Sequence, residues 1–136
     1  MTNRERADQL LAEAAEIAGD MRRALERGGW NLAARRAQEV IELAMKGLLN
    51  EMGVEYPRTH DPAPVLVESI RRRQVKTDAA FLDWLTTRSG QLAKIRGPAF
   101  YLEIKVVEAE ARSAVEAADR VLAFGQDLLR RLRAGR

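Results

Sequence analysis

The sequence predicts an all-α protein, an up-and-down bundle of four to five helices, on three observations. Aromatics make up 5% of the 136 residues while Ala, Leu, Glu and Arg abound, so strong helix formers meet few β-forming competitors. Apolar residues recur at three- and four-residue spacing through four long segments. The connections are short and marked by Gly or Pro, which favours antiparallel neighbours. The length suits one domain over residues 1–136, built around one core.

The first helix spans about Thr2 to Arg27. Leu10, Leu11, Ala14, Ile17, Ala18, Met21, Ala24 and Leu25 form its stripe, and Gly28-Gly29 ends it, because glycine accepts the left-handed conformation of a helix C-terminus. Asn31 is the expected N-cap of the second helix. Its apolar face carries Ala33, Ala37, Val40, Ile41, Ala44, Met45, Leu48, Leu49 and Met52, with Arg35, Glu39, Glu42, Lys46 and Asn50 toward the other side and Gly53 at its end. Glu42 precedes Lys46 at i,i+4, the favourable order for an ion pair, worth about 0.3 kcal/mol on an exposed face. Asp61 and Pro62 read as an N-cap and first-turn proline, opening a short third helix that ends near Arg71-Arg72-Arg73. Thr77 or Asp78 caps the fourth, whose apolar positions are Phe81, Leu82, Trp84, Leu85, Leu92 and Ile95; Gly97-Pro98 breaks it. The last helix runs from around Ala99 or Tyr101 to near Arg133, with Ile104, Val107, Ala111, Ala114, Val115, Ala118, Val121, Leu122, Leu128 and Leu129 on its buried face. A helix of that length outruns a compact bundle, so its end is free to serve a partner or a second subunit.

Composition removes several kinds of chemistry. The absence of cysteine excludes disulfides, thiolate catalysis and cysteine-ligated metals. A net charge of +3 permits an acidic or nucleic-acid partner without demanding one. The N-terminus is charged from Arg4 onward and lacks the apolar region of a signal peptide. No apolar run approaches the ~18–20 residues of a membrane span, so no membrane association and a cytoplasmic location are expected.

One histidine and no cysteine leave few nucleophile–base pairs. HExxH, EF-hand, Walker-type and GxGxxG patterns are missing. Glu13-Glu16 and Glu39-Glu42 have the i,i+3 spacing of bundle metal sites, but the accompanying Glu-x-x-His is absent; no metal and no cofactor are expected. Two basic clusters stand out: Arg71, Arg72 and Arg73 with Lys76, and Arg130, Arg131, Arg133 and Arg136. Either can meet phosphates by counterion release. Both are also explained as cations placed near helix C-termini, where the macrodipole favours them.

The stretch from Gly29-Trp30 through AARRAQEVIELAMKGLLNEMGVEYPRTHD resembles the HEPN domain family, small helical proteins of prokaryotes. The residues that carry the resemblance are Trp30, Gln38, Glu42, Lys46, Gly53, Pro57 and His60, followed by RGPAFYLEIKVVEAEARSAVEAADRVL; it extends from about residue 8 to 130. The resemblance implies a four- to five-helix bundle that forms a homodimer. It also implies a minimal nucleotidyltransferase as partner in a toxin–antitoxin-like pair. Many family members are metal-independent RNases, with an arginine followed after four to six residues by a histidine at the dimer cleft.

This chain departs from that pattern. The matching arginine is Arg96, and Tyr101, Leu102 and Glu103 occupy the positions where the histidine belongs. Tyrosine, with an unperturbed pKa near roughly 10, is a poor base at neutral pH. Arg96 can bind phosphate and stabilise developing charge but cannot take a proton from a 2′-hydroxyl. The expectation is a dimeric nucleotide- or RNA-binding module, with Arg96, Arg71, Arg72 and Arg73 as phosphate contacts and no nuclease activity of the family type. Two alternatives stand beside it: an active RNase using Arg96 with Tyr101 or Glu103, and a purely structural interaction bundle. Gln38, Glu42, Lys46 and His60 are expected to be structural, His60 bracing the loop before the third helix.

Overall fold

Five helices order the chain in the computed structural model, which describes residues 1–56 and 58–135. Pro57 of the family signature and Arg136 of the C-terminal basic cluster lie outside the described residues. The helices are α1 (Asn3–Glu26), α2 (Trp30–Glu51), α3 (Ala63–Arg72), α4 (Ala79–Phe100) and α5 (Glu108–Ala134). No helix among the described residues is long and apolar enough to cross a membrane.

Local chemistry sets the ends. Thr2 caps α1 in a capping box with Glu5, each satisfying the other's orphan backbone N–H. Asp78 caps α4 by accepting from the Ala80 N–H at 3.1 Å. The ends of α1, α2, α3 and α4 close by the same paired backbone bonds, seen after α4 as Leu102 N–H to Ala99 O and Glu103 N–H to Pro98 O. This is the Schellman arrangement, which needs a left-handed residue just past the helix. Gly28 and Gly53 fill that position after α1 and α2, whereas Gln74 (φ 54°) and Leu102 (φ 58°) fill it after α3 and α4.

Four boundaries differ from the sequence reading. Pro62, not Asp61, is the residue before α3, and Asp61 accepts from the Ala63 N–H only at 3.4 Å. Gly29, not Asn31, is the residue before α2. Asn31 lies inside the first turn, donating to Ala99 O and Ile104 O and accepting from the Val106 N–H. Pro98 does not break α4, which runs on to Phe100: a proline so close to the end removes one bond, and the Schellman closure holds the turn after it. The last helix begins only at Glu108. Residues 101–107 form a loop that Asn31 holds in place, so Ile104 and Val107 are exposed rather than buried on a helix face.

Side-chain pairings give the topology. Arg133 near the end of α5 meets Asp8 near the start of α1 and Glu51 at the end of α2, so α1 opposes both α2 and α5. Arg96 near the end of α4 reaches Gln38 and Glu42 of α2, and Arg120 of α5 covers Trp84 of α4, so α4 opposes α2 and α5. The result is an up-down-up-down bundle with α3 laid across α2 and α4. Its core is led by Met21, Ile41, Met45, Leu48, Leu66, Leu85, Leu92 and Leu128, each fully buried; burying one such side chain contributes roughly 1.5–3 kcal/mol. α1, α2 and α5 approach closely round Leu11. A Cβ at Gly47 would stand 3.3 Å from Leu11 Cγ, and one at Gly125 would stand 3.4 Å from Leu11 Cδ2.

Candidate functional site

The polar side of α2 is not all solvated. Gln38, Glu42 and Lys46 recur at i, i+4 and i+8, so they share one face of the helix. The end of α4 and the loop before α3 fold over that face, leaving Gln38 2% and Glu42 8% exposed. Burying a carboxylate requires partners, and Glu42 has four. Lys46 Nζ donates to its Oε2 at 2.6 Å. Gln38 Nε2 and Arg96 NH1 each donate to its Oε1 at 3.0 Å, and His60 Nδ1 lies 3.0 Å from the same oxygen. Burial pushes the Glu42 carboxyl up, but bonds from Lys46, Gln38 and His60, with the Lys46 charge, outweigh it and hold the group below its ordinary value.

His60 reaches this cluster because its loop is fastened on both sides. Gln38 Nε2 donates to the His60 carbonyl at 2.9 Å, and Asp61 accepts from buried Ser89 of α4 at 2.6 Å. The imidazole therefore sits with Nδ1 2.8 Å from Arg96 NH1. The sequence reading leaves these two residues apart; the fold joins them across 36 positions. Sequence does not mark Asp61 and Ser89 as a pair, since a serine within a helix and an aspartate before a proline each have local explanations.

Two hydrogens on Arg96 NH1 face three acceptors, Gln38 Oε1, Glu42 Oε1 and His60 Nδ1, so the bonds cannot all form together. When Arg96 serves Gln38 and Glu42, His60 holds its proton on Nδ1 for Glu42, and Nε2 presents a lone pair. When Arg96 donates to Nδ1, the proton moves to Nε2 and the ring presents a donor instead. No described residue bonds Nε2, and the His60 side chain is 59% exposed. Arg96, 31% exposed, spends only NH1 on the cluster; its Nε and NH2 edge has no partner among the described residues. The site is a half-open cationic mouth with an adjustable imidazole at its rim.

The other candidates fall elsewhere. Tyr101 is exposed and packs edge-on against Phe100 at 5.0 Å. Among the described residues, neither its hydroxyl nor the Glu103 carboxylate bonds Arg96. Arg71 pairs with Asp83 and Arg72 with Glu68, while Arg73 is exposed at the end of α3. Asp83 lies near the opposite end of α4 from Arg96, about 20 Å along the helix at ~1.5 Å per residue, so the fold does not bring this basic run to the Glu42 cluster. Beside Arg96, the loop Asn31 holds presents Tyr101, Leu102, Ile104 and Val107 to solvent, next to exposed Phe100. Arg35 lies 4.4 Å over the Phe100 ring.

A sequence-family profile described as the HEPN domain matches residues 7–128. The crystal structure of ST0689, an archaeal HEPN homologue, superposes with a TM-score of 0.67 at 21% identity, covering 90% of this chain and 97% of that one; at such identity the likeness speaks for the fold. No curated protein matches the chain.

Proposed function

The chain belongs to the HEPN domain family, and from that premise we propose that it is a dimeric RNA- or nucleotide-binding module that acts with a minimal nucleotidyltransferase in a toxin–antitoxin-like pair. The observation that carries the binding role is the uncommitted edge of Arg96. Its NH1 is fixed by Glu42, Gln38 and His60, which sets the guanidinium plane while leaving two nitrogens for a phosphate. A guanidinium held in place loses less freedom on binding, and its edge matches two phosphate oxygens. Self-association is supported by Phe100 at the end of α4 and by Tyr101, Leu102, Ile104 and Val107, which are exposed on a loop tied to Asn31 and interspersed with Glu103 and Lys105. A cluster of exposed large apolar side chains of this kind suits a contact site. The cytoplasm is the compartment this role requires.

A second reading is favoured by one distance. His60 Nδ1 lies 2.8 Å from Arg96, so the imidazole that is missing after Arg96 in sequence stands beside it in space. With Nδ1–H on Glu42, Nε2 can take the proton of a 2′-hydroxyl while Arg96 steadies the phosphate. In this reading His60, not Tyr101 or Glu103, is the catalytic base of a metal-independent RNase.

One experiment separates them: single-stranded RNA titrated and incubated with EDTA, for wild type, Arg96→Ala, His60→Ala and Tyr101→Phe. The binding module predicts salt-sensitive RNA binding weakened in Arg96→Ala, with no cleavage by any variant. Cleavage by wild type that His60→Ala abolishes and Tyr101→Phe retains establishes the RNase. Failure to bind RNA at low salt overturns both.

A further inference from the structure

A second site lies at the other end of α4. A groove of about 690 Å³ opens between the start of α4 and the outer half of α5, within the size range of small-molecule sites. Its floor is aromatic: Phe81 and Phe124 pack with ring centroids 4.4 Å apart. Its rim is cationic: Lys76, Arg120 and Arg131, against the single carboxylate of Asp78. That carboxylate is already engaged, capping α4 through the Ala80 N–H.

Two of the three cations, Arg120 and Lys76, are left free for a ligand, and Arg131 serves the wall. The Arg120 guanidinium lies over the Trp84 ring at 4.3 Å and also over Phe81 at 5.0 Å, and no carboxylate pairs with it among the described residues. Stacking uses the face of a guanidinium and leaves its N–H edges in plane for an anion. Arg131 donates Nε to Asp127 and NH1 to the Lys76 carbonyl, tying the connection before α4 to α5 and fixing one wall of the groove. Lys76 is exposed and has no ion pair among the described residues. None of this touches the Glu42 cluster: Phe81 and Arg96 are separated by about 22 Å along α4 at ~1.5 Å per residue.

We propose that this groove binds a small aromatic anion, a flat apolar ring carrying one negatively charged group. The ring lies on Phe124 beside Phe81, and the charged group meets the Arg120 edge and Lys76. A nucleoside monophosphate and an aryl carboxylate share this chemistry. The site is independent of RNA binding at Arg96 and stands or falls without it.

Calorimetric titration with adenosine monophosphate, 1-naphthoate and the uncharged 1-naphthalenemethanol tests it, on wild type, Arg120→Gln, Lys76→Gln and Arg96→Ala. The expected result, for at least one of the anions, is one site per chain that remains in Arg96→Ala, whatever further binding Arg96 itself supports. Its affinity falls about tenfold in Arg120→Gln, the worth of a charge-assisted contact, falls less in Lys76→Gln, and is unchanged in Arg96→Ala. A preference for adenosine monophosphate identifies the ligands as nucleotides, and a preference for naphthoate identifies them as aryl carboxylates. Lys76 is exposed, so Lys76→Gln keeps the test valid if Arg120→Gln does not fold. The proposal is overturned if neither anion binds at millimolar concentration, if the neutral alcohol binds as tightly as naphthoate, or if binding persists in both groove variants. Loss in Arg96→Ala with both groove variants intact would move the ligand to the Glu42 cluster and equally end the proposal.

Discussion

Two glutamates of α2 each hold an arginine from another helix, and the arginines differ in what they have left to give. At Glu51, Arg133 spends every nitrogen: Nε and NH2 on the carboxylate, NH2 again on the Arg4 carbonyl, and NH1 on Asp8. Glu51's bonds, against burial and with help from Asp8, push the Arg133 guanidinium up from its ordinary value. At Glu42, Arg96 spends one nitrogen and shares the carboxylate with Lys46, Gln38 and a half-exposed histidine. The same pair of residue types thus makes a closed joint at one place and an open socket at the other. The difference lies in how many donors the arginine retains, not in the presence of a buried ion pair.

Breaking the joint has the largest expected effect. Glu51→Ala leaves Arg133, in a largely buried position, with Asp8 as its one carboxylate and the Arg4 carbonyl beside it, and a loss of about 3 kcal/mol is expected in urea unfolding. RNA affinity should not change for the folded fraction; a matching loss of affinity would show that the two regions are not separable.

Glu42→Gln sharpens the contrast by keeping shape and removing charge. A smaller loss of about 1.5 kcal/mol is expected, with a changed response to acid. The folded Glu42 carboxyl titrates below its ordinary value. Its contribution is therefore complete above the unfolded value of roughly 4.3 and lost as pH falls through the lower folded value. Unfolding free energies measured from neutral pH down through this range should fall less steeply in Glu42→Gln than in wild type. Equal slopes would remove Glu42 from the acid response.

Arg96→Ala tests the socket itself. RNA affinity should drop about tenfold, or ~1.4 kcal/mol, with a shallower salt dependence and a loss of about 1 kcal/mol in urea unfolding, because buried Gln38 Oε1 and Glu42 each lose a donor. An unchanged affinity would make Arg96 a second joint.

The smallest effect is expected beside the socket. Leu102 holds a left-handed backbone with its side chain 77% exposed. Leu102→Gly should relieve backbone strain and stabilise the monomer by about 0.5–1 kcal/mol, while weakening self-association measured by sedimentation. Stabilisation with dimerisation intact would place the subunit contact elsewhere.

The parts of this arrangement that sequence makes legible are those set by one helix. Glu42 and Lys46 are paired by spacing alone, and the ends of α1 and α2 are marked by Gly28 and Gly53 because that conformation selects glycine. The end of α4 is not marked, because Leu102 occupies the same conformation and Gly97-Pro98 draws the break forward. The start of α5 is obscured because Ile104 and Val107 continue the apolar spacing through a loop. The burial of Glu42 and the meeting of His60 with Arg96 depend on α4 returning antiparallel to α2 and on Ser89 gripping Asp61. No local pattern carries that information.

Asn31 has a consequence for how this protein can change. One amide, placed on α2, meets two carbonyls and one N–H at the far end of α4 and the loop beyond it. Beyond its own closure at Leu102 and Glu103 and the burial of Val106, the course of that loop is set from outside it. Its outward side chains do not define its shape, so they can be exchanged wholesale and the surface given a new partner while the backbone stays as it is. Position 31 has no such licence: a single substitution there would undo the presentation of all of them at once.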